Sequence, residues 1–334
     1  MEGPLWIDRH RPGIDDLPQP EVRDRIERAV GESLNVVVHG PSGSGKTAAV
    51  RAMARATHAN PDADLVEINV ADFFDRTKTE ITNDPRFEPF LAGRSGMAKR
   101  DMINHVLKEA ASYAPADGEF RTVVLDNAEA IREDFQQALR RVMEQYHRTA
   151  QFAIITRQPT KLIAPIRSRS FPVPVRAPTE DEIAAVVTDI ADAEGAEYEP
   201  DGVEFVAGWA SGDLRKAILT AQTVHEEAGE ITMETAYGVI DDLRSDERIE
   251  DALDAAEAGE FTDARSTLDE LLIDEGMSGE TVLEEILTTA RSRYDGERLA
   301  RLHRLAGEID ADLAEGTNDR IHLGRLLAEL GRAA

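Results

Sequence analysis

Gly40-Pro41-Ser42-Gly43-Ser44-Gly45-Lys46-Thr47 follows an apolar run, Leu34 to Val38, and leads into a helix-compatible run, Ala48 to Ala56. A strand, a glycine-rich turn and a helix in that order form a phosphate-binding loop. Glycines let the backbone curl so that successive N–H groups point inward at phosphate oxygens. The helix N-terminus behind them adds partial positive charge. Lys46 has the reach for β- and γ-phosphates, and a hydroxyl at the position of Thr47 ligates Mg²⁺ in such loops. This stretch predicts a nucleoside triphosphate site on a parallel α/β sheet.

The residues downstream supply the rest of that sheet. Asp64 to Val70 alternates as a strand. Residues 71–96 are polar and mixed, with Phe73, Phe74, Phe87 and Phe90 but no clean period, and read as an irregular insertion or an exposed loop. Met97 to Ala111 has a helical pattern. Arg121-Thr122-Val123-Val124-Leu125-Asp126 is an apolar run ending in a carboxylate, the Walker B pattern that holds a Mg²⁺ shell. A helix over Asp134 to Tyr146 follows, then strands at Gln151 to Thr156 and around Phe171, Val173 and Val175. Strands separated by helices imply a parallel sheet with helices on both faces, and a nucleotide at the strands' carboxyl ends. The P-loop, Asp126 and Thr156 are expected to converge there.

Upstream, Pro12, Pro18 and Pro20 predict an extended or turned segment before an amphipathic helix over Glu21 to Val30. Trp6 is open to two readings, as a cover for a nucleotide base or as core packing. Beyond Pro178 the texture changes. Thr179-Glu180-Asp181-Glu182 is a helix start with Thr179 as N-cap, and Gly212-Asp213 begins another helix. From Glu247 onward the pattern is helical, with breaks near Gly259, Gly276 to Gly279, Asp295-Gly296 and Gly316. The expected domains are 1–175 (nucleotide-binding), 176–241 (helical lid) and 242–334 (helical, terminal).

The 334 residues hold no cysteine, which excludes disulfides and thiolate metal sites. No run approaches the roughly 20 apolar residues of a membrane span, and Met1 to Arg11 carries no signal-peptide core, so the expected location is cytoplasmic. Acids outnumber bases, 65 to 38, for a net charge of −27, and only six of the basic residues are lysine. Such an acidic surface is similar to those of salt-loving archaea, where molar salt screens self-repulsion within roughly 3 Å. An acidic mesophilic protein is the alternative.

Taken together, the chain resembles the small subunit of replication factor C, the archaeal and eukaryotic AAA+ clamp loader. Trp6 to Pro12 is similar to that family's Trp-x-x-x-Tyr-Arg-Pro, and Gln136 to Tyr146 to its helix after Walker B. Lys161 to Ser170 is similar to the stretch ending in Ser-Arg-Cys, Gly212 to Ile218 to the sensor-2 segment, and Glu315 to Leu323 to the last collar helix. The resemblance implies an α/β P-loop AAA+ domain, a small helical lid and an all-α C-terminal collar that builds a hetero-pentameric ring with other small and large subunits. It implies ATP and Mg²⁺ as ligands, and a sliding clamp and primer–template DNA as partners. By motif, the loop Gly40 to Thr47 would bind phosphates, with Thr47 and Asp126 on Mg²⁺. His10, Arg11 and Pro12 would line the nucleotide site, Arg215 would contact the γ-phosphate from the lid, and Arg169 would be an arginine finger in the neighbouring subunit's site. Arg94, Lys99, Arg100 and Lys108 lie where the family's DNA track would run, or form a solvated basic face. A branch-migration helicase or an unfoldase of the same superfamily is the competing class.

The departures from the family carry as much information. Walker B reads Asp126-Asn127-Ala128-Glu129 where the family has Asp-Glu-Ala-Asp, so Asn127 replaces the carboxylate that activates water. An amide is no base at neutral pH. Arg157 stands at the sensor-1 position, usually Asn. The motif tyrosine is His10, Gly-Gln is Gln19-Pro20, and the cysteine after the finger is Ser170. The expectation is a subunit that binds ATP and hydrolyses it poorly, unless Glu129 substitutes as the base.

Overall fold

In a computed structural model, residues 4–70, 77–83, 97–112, 119–243, 246–274, 277–315 and 318–331 are described. Arg94, most of the 71–96 insertion, Gly276 and Gly316 fall outside them. The chain divides into two compact units, Met1–Tyr237 and Gly238–Ala334. The expected boundary at 175/176 lies inside the first unit, and that at 241/242 lies inside the helix Met233–Leu243.

The first unit is built on five strands: β1 (Val36–His39), β2 (Leu65–Asn69), β3 (Arg121–Asp126), β4 (Ala150–Thr156) and β5 (Phe171–Pro174). Their order is β2-β3-β4-β1-β5, with every pairing parallel. Continuous apolar strands are the signature of a sheet covered on both sides, because successive side chains leave opposite faces. Val36, Val38, Val124, Ala153 and Ile155 pack with Ile26, Val50 and Met53 on one face. Val37, Val123, Leu125, Phe152 and Ile154 pack with Met102, Val106, Phe135 and Leu139 on the other. His39 lies opposite Thr156, and Asn69 opposite Asp126, so the carboxyl ends of β1 to β4 form one rim.

The Pro178 transition begins a helix at Glu180–Glu194 with the expected capping box: the Glu182 amide donates to Thr179, and the Thr179 amide donates back to the Glu182 carboxylate. Helices Pro200–Ala210, Leu214–Ala228 and Met233–Leu243 follow. A two-residue parallel pair, Glu197–Tyr198 with Glu230–Ile231, was not foreseen. Two local expectations also change. Trp6–Arg9 forms one helical turn, which ends before Arg11 and Pro12, the two positions where the proline ring disfavours helix. Within the segment read as irregular, Lys78–Asn83 is helical and buries Ile81 in the core.

The second unit is helical: Asp246–Glu257, Phe261–Asp269, Gly279–Arg293, Gly296–Glu315 and Asp319–Gly331. Leu253, Leu268, Ile286, Leu302, Leu323 and Leu327 meet in its core. A wide turn at Glu270–Asp274 and Gly259 and Gly296, both at positive φ, account for breaks that the sequence marks. Among the described residues no helix is long and apolar enough to cross a membrane, and no strand occurs beyond residue 246.

Candidate nucleotide site

β1 ends at His39, and the chain turns through Gly40 to Gly45 into the helix Lys46–Thr57. Glycine is required at Gly40 by space: a Cβ there would sit 1.8 Å from the Val175 carbonyl oxygen. At Gly43 it is required by conformation as well, since φ is +64° and a Cβ would strike the Asp213 carboxylate. Asp213 is fixed there because it caps the helix Leu214–Ala228, accepting from the Lys216 amide at 2.9 Å, while the Leu214 amide donates to the Gly43 carbonyl at 3.0 Å. The start of that helix therefore rests directly on the loop.

A cleft of about 980 Å³ opens above this loop. Ser42, Gly43, Gly45, Lys46, Thr47, Asp126, Asn127 and Arg157 line it, with His10, Arg11 and Pro12 from the N-terminal segment and Arg215 from the helix Leu214–Ala228. Thr156 lines it too, so the P-loop, Asp126 and Thr156 lie together at the strand ends. Gly40, Pro41 and Ser44 support the loop from behind: Ser44 Oγ donates to the Pro41 carbonyl at 2.9 Å. Lys46 is almost buried and hydrogen-bonds the Pro41 carbonyl through Nζ. Burial pulls its ammonium pKa down, against the raising charges of Asp126, Glu129 and Asp213. Thr47 Oγ1 donates to Asp126 Oδ2 at 3.0 Å.

The residues after Asp126 decide the chemistry. Asn127 takes a left-handed backbone, φ 54° and ψ 44°, which asparagine tolerates better than most residues. Its amide N–H donates to Asp126 Oδ1 at 2.8 Å, and its side-chain nitrogen donates to Asn69 Oδ1 at 3.0 Å. Glu129 reaches the end of β4. Its Oε2 accepts from Thr156 Oγ1 at 2.9 Å and from the Arg157 amide at 3.1 Å, and its Oε1 accepts from Arg157 Nε at 2.8 Å. Its side chain is 9% exposed. Burial alone would raise the Glu129 carboxyl, but the Arg157 guanidinium, the Thr156 hydroxyl and two backbone amides hold it below its ordinary 4.5. A carboxylate so engaged is a weaker base than a free one, and its lone pairs are already occupied.

Several contacts were not legible beforehand. Trp6 is buried against the helix Leu214–Ala228; its amide donates to Gln222 at 2.8 Å and its ring lies 5.6 Å from His225, so it is core packing. Arg9, at 2.7 Å, and His10 both pair with Glu194. Buried Gln19 bridges the loop to the strand exit. Only its place in the compared N-terminal motif had marked it. Among the described residues Arg215 is exposed and has no ion-pair or hydrogen-bond partner, so no acid neutralises it. Arg169 lies outside the cleft, 2.9 Å from Glu144 in an exposed pair and 3.0 Å from the Pro165 carbonyl. Lys108 is exposed on the helix Lys99–Ser112.

A doubly covered parallel sheet, a P-loop at its carboxyl rim and a separate helical unit define a AAA-type nucleotide-binding protein. Residues 36–175 match the family described as ATPase family associated with various cellular activities (AAA), and residues 245–329 match the replication factor C C-terminal domain. The chain belongs to the replication factor C small-subunit family. It is 32% identical over 337 residues to the replication factor C small subunit of Methanocella arvoryzae, covering 98% of this chain and 96% of that one. For the protein of the same name from Archaeoglobus fulgidus the figures are 31% over 338 residues, 99% and 98%. For that of Halobacterium salinarum they are 29% over 333 residues, 98% and 95%. The RuvB Holliday junction branch migration motor of Thermotoga maritima shares the fold, at a TM-score of 0.54, 15% identity and coverage of 83% and 85%.

Proposed function

We propose that this chain is a clamp-loader subunit that holds ATP and Mg²⁺, turns ATP over poorly in its own cleft, and supplies Arg169 to a neighbouring subunit. Membership of the replication factor C small-subunit family makes it a subunit of a clamp-loading ATPase. The finer reading rests on one observation: the residue after Asp126 is an asparagine whose side chain is turned onto Asn69.

The residues present fit the nucleotide and the metal. The loop is a cradle that Cβ atoms at Gly40 and Gly43 would fill. Lys46 brings a nearly buried cation to the phosphates, and Thr47 and Asp126 present two hard oxygens already in hydrogen-bond contact, suited to Mg²⁺. When bound, the metal neutralises charge on the phosphate oxygens. Lys46 and the loop amides then bind and orient, Arg215 reaches in from the lid, and Asn127 can hydrogen-bond water without accepting its proton. Arg169 is free to act elsewhere, because an exposed ion pair is worth only about 0–1 kcal/mol and exchanges readily. The working parts on this reading are 1–175, 176–241 and 242–334. The partners are other small and large subunits, a sliding clamp and primer–template DNA, in the cytoplasm.

The test is DNA-stimulated ATP hydrolysis by the assembled ring, compared with a ring carrying Asn127→Glu in this chain. A positioned base contributes about 10²–10⁴-fold. The variant must adopt a left-handed backbone at a cost of about 1 kcal/mol, so the expected gain at this site is toward the lower figure. If the wild-type site hydrolyses at the rate of its active neighbours, the reading fails.

A further inference from the structure

We infer that Gln19 is a positioning residue that couples the phosphate loop to the lid hinge; this rests on the nucleotide-binding reading above. Gln19 is 1% exposed. It occupies the N-cap of the helix Pro20–Glu27 but makes no side-chain cap there. Both N–H bonds of its amide leave the helix instead. One goes to the Ser44 carbonyl at 3.0 Å, and the other to the Arg176 carbonyl at 3.0 Å.

The two acceptors explain why this bridge matters. The Ser44 carbonyl and the Gly45 N–H share one planar trans peptide, so they point in opposite directions. Holding the Ser44 oxygen against Gln19 fixes the direction of the Gly45 N–H, and Gly45 lines the cleft. A preset donor at a phosphate site avoids reorganisation on binding. Arg176 lies just beyond β5, where the chain leaves the sheet for the helix Glu180–Glu194. Its guanidinium is gripped on both sides of that exit. Glu182 of the lid helix accepts twice at 2.7 Å, and Glu21 of the helix that follows Gln19 pairs at 2.7 Å. One further bond, from the Val175 amide to the His39 carbonyl at 2.7 Å, ties the exit to the strand that feeds the loop. A change in the Ser44–Gly45 peptide is therefore passed through one rigid amide to the backbone on which the lid turns. A methylene side chain could fill the same space and transmit nothing.

The experiment uses the full chain with Mg²⁺ and a non-hydrolysable ATP analogue. It measures the dissociation constant and the amide hydrogen exchange of residues 175–179 for wild type and Gln19→Met. The expected result is that the analogue slows exchange there in the wild type. Q19M should bind about five- to tenfold more weakly, the equivalent of one net hydrogen bond. At saturating analogue its 175–179 exchange should no longer respond. A glutamine that merely stabilises the fold would lower the melting temperature and raise basal exchange, but would leave the response to the analogue intact; that result overturns the inference, as does unchanged affinity. If Q19M does not fold, Gln19→Leu, which is of similar bulk, buries no polar group and offers no donor, carries the same comparison. A wild-type chain that fails to bind the analogue at all refutes the nucleotide reading instead, and is a separable outcome.

Discussion

Glu129→Gln tests the inference that this carboxylate is structural. The wild-type group accepts three hydrogen bonds from other residues: from Thr156 Oγ1, the Arg157 amide and Arg157 Nε. Glutamine keeps one acceptor oxygen and turns an NH₂ toward a guanidinium that can only donate. A hydrogen bond to a charged group is worth about 1.5–3 kcal/mol. Glu129 is 9% exposed but Arg157 is 58% exposed, so solvent screens the pair and the lower part of that range applies, about 1.5–2 kcal/mol. With a urea slope of about 2 kcal/mol/M, the midpoint falls by about 0.7–1 M. Both tryptophans of the chain, Trp6 and Trp209, lie in the first unit, so their fluorescence follows the unit that carries Glu129. The sign with pH is fixed by the depressed pKa. The stabilisation is fully present above the unfolded value of 4.5 and is lost as pH falls through the lower folded value. The gap between wild type and E129Q should therefore be open at pH 7 and close well below pH 4.5. Equal stability at pH 7, or a gap independent of pH, refutes this account of Glu129.

Two further outcomes are expected. Arg169→Ala should lower ATP turnover by the ring about 10³–10⁵-fold at the neighbouring site while this chain still binds nucleotide with wild-type affinity; loss of its own nucleotide would contradict the finger assignment. Gln151→Leu should destabilise the first unit by about 1–3 kcal/mol in urea unfolding, because it removes the donor to the Leu34 and Glu32 carbonyls, bonded at 2.8 and 3.1 Å, and the 3.0 Å acceptor of the buried Thr122 hydroxyl, which is left with His58 at 2.8 Å. An unchanged midpoint would show that those groups find other partners.

The sheet was legible because each strand carries its own signal: an apolar run whose alternate residues must be buried on opposite faces. The P-loop and Asp126 were legible because phosphate and metal chemistry demand those residue types at fixed spacing. The Trp6–Arg9 turn was not, since four residues give no period to read. The long-range polar pairs were hidden for a different reason. Gln19 with Ser44, Gln151 with Leu34 and Arg9 with Glu194 are 25, 117 and 185 residues apart, and nothing local in the sequence distinguishes a glutamine or glutamate that will be buried and paired from one that faces water. Arg157 shows the same limit within the site. Its place after β4 followed from the strand, but its attachment to Glu129 depends on the two strand ends lying side by side.

That attachment changes how the departures from the family pattern should be weighed. Asn127 removes a negative charge from the phosphate end of the cleft, and Arg157 adds a positive one where a neutral side chain is usual. Glu129 keeps the charge of the aspartate it replaces. Relative to the family pattern, the local balance moves by two charges toward holding a polyanion, in a chain whose net charge of −27 repels one. At ordinary ionic strength the distant acids are screened beyond about 10 Å, whereas Lys46 and Arg157 act across the cleft at contact range. On the proposed reading, tight retention and slow turnover would both follow from the same two substitutions. On the proposed reading, the loop from Gly40 to Thr47 reports the presence of ATP to the lid, and the chain's catalytic contribution is made through Arg169, outside its own cleft.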